Sequence, residues 1–335
     1  MELTTRELVE TTPDKGIGAF LRSLLAKQEA AVLIPLVAFT LFFYVRNPAM
    51  LAPLTVASIL RTMAAPGLVG MGMVMLMITG EIDLSTGAVM SLSAVFSAWM
   101  MVNLGWPVWV SVVIVLGVAL VVGLINAALS VRIGVHSVIA TLGVGFAVRG
   151  GSYLFTNGLP IYPLPPEVGT IGEIRPLGLS VTFFLLLGIM VVMQLILNRT
   201  RWGAMVFATG GNKLAAQICG INTTRVKTLC FMLTSLLAGC AGLLTMSGLP
   251  LPSGDPVIGR NIELDIIAGV ILGGVSFFGG RGSAIGTLFG VTLIQVVRTG
   301  LVVAHFDPYW QIPALGMLML VAASVDVIRH RRREG

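Results

Sequence analysis

Long apolar runs, separated by short polar or glycine-rich segments, make up most of this chain. A helix that crosses a bilayer needs roughly 20 mostly apolar residues, and the chain contains about ten runs near that length. We therefore predict an all-α membrane protein with transmembrane helices near 30–45, 54–79, 86–103, 107–129, 137–156, 181–197, 227–247, 262–279, 284–303 and 309–328.

The composition supports this prediction. Of the 335 residues, 56% are hydrophobic and only 11% are charged, and the mean hydropathy is +0.95. A soluble domain carries about 25% charged residues, so this chain could not present such a surface to water. The 40 glycines suit helices that pack closely inside a membrane, because small residues let backbones approach one another.

The basic residues predict the orientation, because short loops rich in Lys and Arg stay in the cytoplasm. Lys15, Arg22 and Lys27 precede the first run, the RHRRR sequence follows the last, and loop 198–227 is strongly basic. We expect both termini to be cytoplasmic, which requires an even number of spans. The predicted parts are a cytoplasmic N-terminal segment at 1–29, a transmembrane domain at 30–328 and a cytoplasmic basic tail at 329–335. The net charge of +6 mostly reflects this asymmetry, so it does not predict nucleic acid binding.

The stretch GEIDLSTGAVM, residues 80–90, places two acids between two apolar runs. The orientation puts this stretch on the cytoplasmic side, so we expect Glu81 and Asp83 to lie near the membrane surface rather than in the bundle. Asp83 or Ser85 is well placed to cap the next helix, where an acid interacts favourably with the helix dipole. Contact with a cytoplasmic partner and a gating ion pair are the alternatives.

A faint internal repeat links this stretch with GGVSFFGGRGSAI at 273–285. Each stretch ends one predicted span and opens the next on the same side. Transporter folds often contain such repeats, and this one predicts that spans two to five and seven to ten form two related halves.

Arg149 is the most informative charge inside a predicted span. A charge at depth normally faces the bundle interior or a water-filled cavity, and Thr141, Gly145 and Ser152 share its helical face. We assign these four residues, with Ser91 and Asn126, to a hydrophilic translocation path. The alternative is a structural Arg149 that is satisfied by carbonyl groups or by an acid near the outer rim. Glu263 and Asp265 open the eighth span on the outer side and are expected to interact with its helix dipole.

The basic loop 198–227 contains LAAQICG, a short Ala-rich segment that is ended by Gly220. Ala permits close packing in a groove, and Gly can adopt the left-handed conformation that stops a helix. The chain has neither a Gly-x-x-x-x-Gly-Lys-Ser/Thr phosphate loop nor a His-Glu-x-x-His motif. We therefore predict no catalytic residue, no metal and no bound cofactor in this chain.

Several motifs together resemble one family. LAAQICG resembles the Glu-Ala-Ala-x-x-x-Gly coupling motif of ABC-transporter permeases, and GEIDLSTGAVM resembles the Gly-Gly-Ile-Asp-Leu-Ser-Val-Gly signature of the ribose-type sugar permeases. The stretches 136–161 and 273–290 resemble further segments of that family in the same order. Glu81 departs from the family's second Gly, and Leu214 departs from its Glu. We expect Glu81→Gly to be tolerated for that reason.

The resemblance implies the permease subunit of an ATP-driven sugar importer in the bacterial inner membrane. It implies a second permease copy or paralogue, cytoplasmic ATPases that hold ATP and Mg²⁺, and a periplasmic sugar-binding protein. A branched-chain amino-acid ABC permease and, from a different class, a proton-coupled secondary carrier are the alternatives. The implied ATPase-coupling residues are Asn212, Lys213, Leu214, Ala215, Ala216, Gly220 and Ile221. The implied signature-loop residues are Gly80, Asp83, Ser85, Gly87, Gly279, Gly280 and Gly282.

Overall fold

The computed structural model describes residues 30–334, so the predicted N-terminal segment 1–29 lies outside the described residues. This part of the chain folds into fourteen α-helices and contains no β-strand. The helices are α1 (Ala30–Arg46), α2 (Pro53–Thr62), α3 (Ala64–Ile78), α4 (Thr86–Asn103), α5 (Val108–Ala127), α6 (Ser137–Thr156), α7 (Pro166–Glu173), α8 (Val181–Arg199), α9 (Arg201–Gly211), α10 (Lys213–Ile218), α11 (Thr223–Ser247), α12 (Ile262–Leu272), α13 (Ala284–Val303) and α14 (Gln311–Glu334). A π-helical turn, Ala128–Ile133, continues α5.

The prediction of an all-α membrane protein is confirmed. Among the described residues, six helices are long and apolar enough to cross a membrane: α4, α5 with its π-helical turn, α6, α8, α11 and α13. The pair α2 and α3, bent by 41° at a short break, forms a seventh candidate. The count of ten spans, the pairing of two halves and the cytoplasmic position of both termini stay predictions.

The predicted span at 262–279 is wrong at its C-terminal end. Helix α12 has 11 residues, about 16 Å of helix, whereas the hydrocarbon core is about 30 Å thick. It ends at Leu272, and Gly274, Gly279 and Gly280 in the following loop all have positive φ. The loop residues Val275, Phe277 and Phe278 are apolar, so the hydrophobic run continues where the helix does not.

Helix α11 forms the centre of the bundle with α3, and it packs against α3, α4 and α5. Glycines lie at these crossings. A Cβ at Gly72 of α3 would lie 2.6 Å from Thr234 Cα, and a Cβ at Gly123 of α5 would lie 2.8 Å from Met232 Cα. Every residue of α3 except Ala65 is buried, so the start and end of α3 are held firmly inside the protein.

Candidate functional site

The first signature loop, residues 79–85, joins α3 to α4. Helix α3 ends at Ile78, and Gly80 two residues later has a φ of +83°, a conformation that glycine adopts without steric cost. The backbone N–H groups of Gly80 and Glu81 donate to the carbonyl oxygens of Met77 and Leu76. These bonds satisfy the last carbonyl groups of α3 and turn the chain back into the bundle.

Asp83 lies at the centre of a buried polar cluster. Its side chain is fully buried, and its Oδ1 accepts hydrogen bonds from the Ser85 backbone N–H at 2.8 Å and from Ser85 Oγ at 2.6 Å. Asn126 Nδ2 lies 3.3 Å from Asp83 Oδ2 and 2.8 Å from Ser85 Oγ. A buried carboxyl group needs such partners, because an unpaired one would carry a large desolvation cost.

This arrangement corrects two expectations about the loop. Asp83 is not at the surface, because α5 and α6 cover the loop. Neither Asp83 nor Ser85 caps α4 with its side chain: Ser85 occupies the cap position without a capping bond, and the Asp83 carboxylate binds Ser85 itself. The acid therefore organises the loop from inside the protein rather than the helix end from outside.

Glu81 is also largely buried and has a charged partner. Glu81 Oε1 lies 2.6 Å from Lys227 Nζ near the start of α11, and the two side chains are 15% and 11% exposed. Glu81 Oε2 accepts a hydrogen bond of 3.2 Å from Ser130 Oγ in the π-helical turn. The expectation that Glu81→Gly is tolerated is therefore revised, because this change would leave Lys227 largely buried without its counter-ion.

Two hydroxyl groups of α6 hold the backbone of the same loop. The Ile82 N–H donates to Ser137 Oγ at 3.4 Å, and the Leu84 N–H donates to Thr141 Oγ1 at 3.0 Å. Farther along α6, Gly145 packs so closely that a Cβ there would lie 3.2 Å from Ser85 Cα. The polar face of α6 thus contacts the signature loop of its own chain.

Arg149 continues this face of α6 and is partly buried. Its Nη2 donates to the Gly259 carbonyl oxygen at 3.0 Å and lies 3.8 Å from Glu263 Oε2 at the start of α12. A carbonyl group and an acid are the partners that the structural interpretation of Arg149 expects. Asp265, two residues after Glu263, forms an ion pair with Arg298 of α13, whose Nη2 lies 2.8 Å from Asp265 Oδ2.

The remaining residues assigned to the path also have partners within this chain. Ser91 Oγ donates to the Pro256 carbonyl oxygen at 2.8 Å, and Ser152 Oγ donates to Val148 O within α6. Gly87 at the start of α4 lies against Gly259, and a Cβ there would lie 2.9 Å from Arg149 Nη2. The path residues therefore make contacts within this chain, and their role in translocation stays a prediction.

The second signature loop, residues 273–283, meets the end of α3 directly. The Gly280 N–H donates to the Ile78 carbonyl oxygen at 2.8 Å, and a Cβ at Gly282 would lie 2.8 Å from the Ile78 side chain. The C-terminal end of α9 closes this contact, because a Cβ at Gly279 would lie 3.1 Å from the Gly210 carbonyl oxygen. The two loops and α9 therefore share one junction, which we call the glycine junction: Ile78, Gly80, Gly210, Gly279, Gly280 and Gly282.

The predicted coupling segment begins two residues after Gly210. Asn212 caps α10, and its Oδ1 accepts a hydrogen bond of 3.0 Å from the Ala215 N–H. Gly220, with a φ of +82°, ends the segment, and the Ile221 N–H donates to the Ala216 carbonyl oxygen. The segment is short, capped at both ends and anchored to the bundle by its neighbours.

The surface of α10 combines exposure with apolar character. Ala216 is buried against the protein, whereas Leu214 and Ile218 are 72% and 87% exposed. Asn212, Lys213 and Ala215 are exposed as well. Leu214 and Ile218 are four residues apart, so they lie on one face of the helix and present an apolar surface that no described residue covers.

Sequence reasoning missed the residues that hold the first loop. Lys227, Ser130 and Ser137 come from α11, the π-helical turn and α6, far from Glu81 and Ile82 in the sequence. The sequence did contain one indication of these contacts. Glu81 is an acid where the resembling family has Gly, and an acid that enters a helical bundle requires a basic partner. Lys227 was counted only as part of the basic loop.

A bundle of apolar helices with two signature loops that meet at the end of α3 and one exposed short helix defines a multi-pass membrane transport subunit. The family model described as branched-chain amino acid transport system / permease component matches residues 55–323, and the chain belongs to this family. Its members are permease components of ABC importers rather than enzymes. The resemblance to carbohydrate permeases is confirmed by the individual relatives.

Three relatives cover most of the chain. The ribose import permease protein RbsC of Bacillus subtilis is 35% identical over 282 residues, which are 84% of this chain and 87% of the relative. The fructose import permease protein FrcC of Rhizobium meliloti is 31% identical over 93% of this chain and 89% of the relative. The autoinducer 2 import system permease protein LsrC of an Enterobacter species is 28% identical over 93% of this chain and 92% of the relative. No solved structure matches this chain.

Proposed function

We propose that this chain is the permease subunit of an ATP-driven bacterial importer and forms, with a second permease copy or a paralogue, the path of a sugar or sugar-like molecule. One observation carries the coupling part of the proposal. Helix α10 is exposed, and the helices on both sides of it reach the signature loops: α9 through Gly210 and α11 through Lys227. A partner that moves α10 would therefore move both loops.

Cytoplasmic ATPases are the proposed partners of α10, and they hold ATP and Mg²⁺. The apolar side chains Leu214 and Ile218 would enter a groove of the ATPase, while Lys213 would remain at its rim. Closure of the ATPases on ATP would displace α10, and the glycine junction would carry this displacement to the ends of α3 and α12. The chain itself performs no chemical step.

The relatives favour a sugar as the substrate, because two of them import ribose and fructose. A periplasmic binding protein would deliver this sugar to a complex in the bacterial inner membrane. The family description favours the branched-chain amino-acid alternative only at the level of the whole family. Asp83 is a buried carboxyl group, as a proton-coupled carrier would need, but its oxygens are occupied by Ser85 and Asn126.

The test is uptake by the complex as it exists in the native host, purified with its ATPase and binding protein and reconstituted into proteoliposomes. We expect uptake of a pentose or hexose that requires ATP and the binding protein, and that continues when an uncoupler removes the proton gradient. Uptake of leucine in place of the sugars would support the amino-acid alternative. Uptake that the uncoupler abolishes and that needs no ATP would support the secondary carrier.

The position of α10 in the cytoplasm can be tested with native thiols. Cys219 is exposed at the end of the coupling segment, and Cys230 and Cys240 can be replaced by Ala. An impermeant maleimide should not label Cys219 in sealed cells, but it should label a cysteine placed at exposed Glu167. Labelling of Cys219 from outside would reverse the orientation and remove α10 from the reach of an ATPase.

A further inference from the structure

The ion pair between Glu81 and Lys227 is a charged contact between the first signature loop and α11. Both oxygens of the carboxylate have partners, since Oε1 lies 2.6 Å from Lys227 Nζ and Oε2 accepts from Ser130 Oγ. The two side chains are largely buried, so salt screens their interaction less than it screens an exposed pair. The ion pair is therefore part of the protein interior rather than a contact at its surface.

Lys227 lies shortly after the coupling segment in the chain, and hydrogen bonds hold the short connection between α10 and α11. Gln217 Nε2 of α10 donates to Thr223 Oγ1, the first residue of α11, at 3.1 Å. Asn222 caps α11 by accepting from the Arg225 N–H at 2.9 Å. Lys227 lies about one turn farther along the same helix, so a displacement of α10 reaches its ammonium group through hydrogen-bonded, helical backbone.

Glu81 lies in the part of the loop that joins α3 to α4. Its own N–H binds the Leu76 carbonyl oxygen in the last turn of α3, and the next two residues are held by Ser137 and by the Asp83 cluster. A force on the Glu81 carboxylate therefore acts on the end of α3 and on the start of α4 together.

The glycine junction and the ion pair differ in the movements they can transmit. At Gly210 of α9 the backbones are already packed against Ile78 and Gly280 and resist being pushed together, but dispersion forces between these few atoms oppose the separation of α9 only weakly. An ion pair attracts, and in a buried site it opposes separation. A movement of α9 can therefore push the first signature loop, whereas the ion pair opposes the separation of this loop from α11.

We propose that Glu81 and Lys227 are positioning residues that hold loop 79–85 to the start of α11, so that a return movement of α10 pulls the ends of α3 and α4 with it. This inference rests on the proposed function. Glu81 stands where the resembling family has Gly, so the ion pair is a feature of this chain and is not part of the family's signature motif.

The experiment measures the number of sugar molecules transported per ATP hydrolysed by the reconstituted complex. Glu81→Gln and Lys227→Met should each lower this ratio about tenfold, because each leaves an uncompensated buried group. The charge-reversed pair Glu81→Lys with Lys227→Glu should regain most of the wild-type ratio. Arg225→Gln, which removes an exposed positive charge from the first turn of the same helix, is the matched control and should leave the ratio unchanged.

A second double variant tests whether the charges of the pair, or only the volume of its side chains, hold the loop. Glu81→Met with Lys227→Met keeps unbranched side chains of similar length at both positions, and buried pairs are often replaced in this way without loss of stability. We expect a stable complex with a ratio as low as in the single variants. Recovery of the ratio in this variant would overturn the proposal, as would wild-type ratios in both single variants.

Hydrogen–deuterium exchange of residues 79–85 in the permease alone, in lipid nanodiscs, requires no transport. Exchange should be faster in Lys227→Met and should return to the wild-type rate in the charge-reversed pair. Unchanged exchange in Lys227→Met would overturn the holding role of the pair. A wild-type complex that hydrolyses ATP but moves no sugar would instead contradict the proposed function, and the exchange measurement would still decide whether the pair holds the loop.

Discussion

The two signature loops share only a faint sequence repeat, and their contacts with the rest of the protein differ. Loop 79–85 is held by side chains: Asp83 and Ser85 bind Asn126, and Glu81 binds Lys227 and Ser130. Where loop 273–283 meets the end of α3, the contact is made by its backbone. The Gly280 N–H binds Ile78 O, the Ser276 N–H binds Arg281 O, and Gln194 of α8 accepts from the N–H groups that follow the loop.

This difference predicts which substitutions each loop tolerates. A contact between two backbones has no side chain that could turn away, so an added methyl group must move a helix end. A polar network depends on the number of donors and acceptors, so a change that preserves them is tolerated and one that removes them is not. The first loop should therefore be sensitive to chemistry and the second to volume.

The largest effect is expected for Gly210→Ala at the glycine junction. The new Cβ would overlap the Ile78 carbonyl oxygen and lie 2.8 Å from the Gly280 nitrogen. Overpacking typically costs about 1–3 kcal/mol, and here both neighbours are backbone atoms. We expect a lower melting temperature in detergent and a loss of most initial-rate sugar uptake at matched membrane levels.

Gly211→Ala is the matched control for this prediction. It lies at the last position of the same helix, and a Cβ there meets no atom within 4 Å. Wild-type uptake in Gly211→Ala with strongly reduced uptake in Gly210→Ala would support the steric account. Equal uptake in both variants would contradict it.

A smaller effect is expected for Asp83→Leu in the first loop. This change removes the acceptor of the Ser85 N–H, of Ser85 Oγ and of Asn126 Nδ2, all of which are buried. The Ser85 N–H would lose its acceptor, at a cost of about 1–3 kcal/mol, whereas the Ser85 hydroxyl group can turn to another acceptor and Asn126 Nδ2 keeps its bond to Ser85 Oγ. The melting temperature and the uptake should both fall.

Asp83→Asn distinguishes the role of the hydrogen bonds from that of the charge. The introduced amide would keep an oxygen as the acceptor for Ser85, while its NH₂ group would replace the oxygen that faces Asn126 Nδ2. If the Asn126 amide turns over, its Oδ1, which has no hydrogen-bond partner among the described residues, can accept from this NH₂ group. We expect this variant to retain about half of the uptake or more, since the acceptor of the Ser85 N–H is preserved. Near-zero uptake would show that the carboxylate charge itself is required.

A still smaller effect is expected for Gln194→Leu. Gln194 Oε1 accepts from the Ala284 N–H at 2.9 Å and from the Ile285 N–H at 3.2 Å, at the start of α13. Loss of a helix cap costs about 1 kcal/mol, and Ser283 still caps the Gly286 N–H. The melting temperature should fall slightly in Gln194→Leu and stay unchanged in Gln194→Glu, which keeps the acceptor. Equal melting temperatures in both variants would contradict a capping role.

The sequence predicted the helices well because apolar runs are a local signal, and α4, α6 and α13 lie at the positions that their runs indicate. It failed where a local signal misleads. The run that includes Phe277 and Phe278 is hydrophobic but forms a loop, because the glycines around it adopt positive φ.

The polar residues of the site show a second limit of sequence reasoning. Asp83 was expected near the membrane surface because the predicted orientation places its loop at the cytoplasmic end of a span. It is buried because α5 and α6, distant in the sequence, pack over that end. The short helix within the predicted coupling segment was located correctly, since Gly220 is a local stop signal, and its role in coupling stays a prediction. The parts of the protein that a movement of α10 would displace depend on contacts between residues that are distant in the sequence. No local sequence pattern predicts these contacts.

The smallest effect is expected on the face of α10 that points away from both loops. Leu214 is 72% exposed at the second residue of α10, so Leu214→Glu removes little buried surface. An acid in the first turn interacts favourably with the helix dipole by about 0.3–1 kcal/mol, and the resembling family often has Glu here. We expect an unchanged melting temperature and uptake close to that of the wild type. Ala216→Glu is the matched variant on the inner face, where the side chain is 4% exposed, and it should lower both the melting temperature and the uptake because it buries a charge. If Leu214→Glu abolished uptake without a change in melting temperature, its apolar side chain would be required by the partner, and the outer face of α10 would be as specific as the two loops.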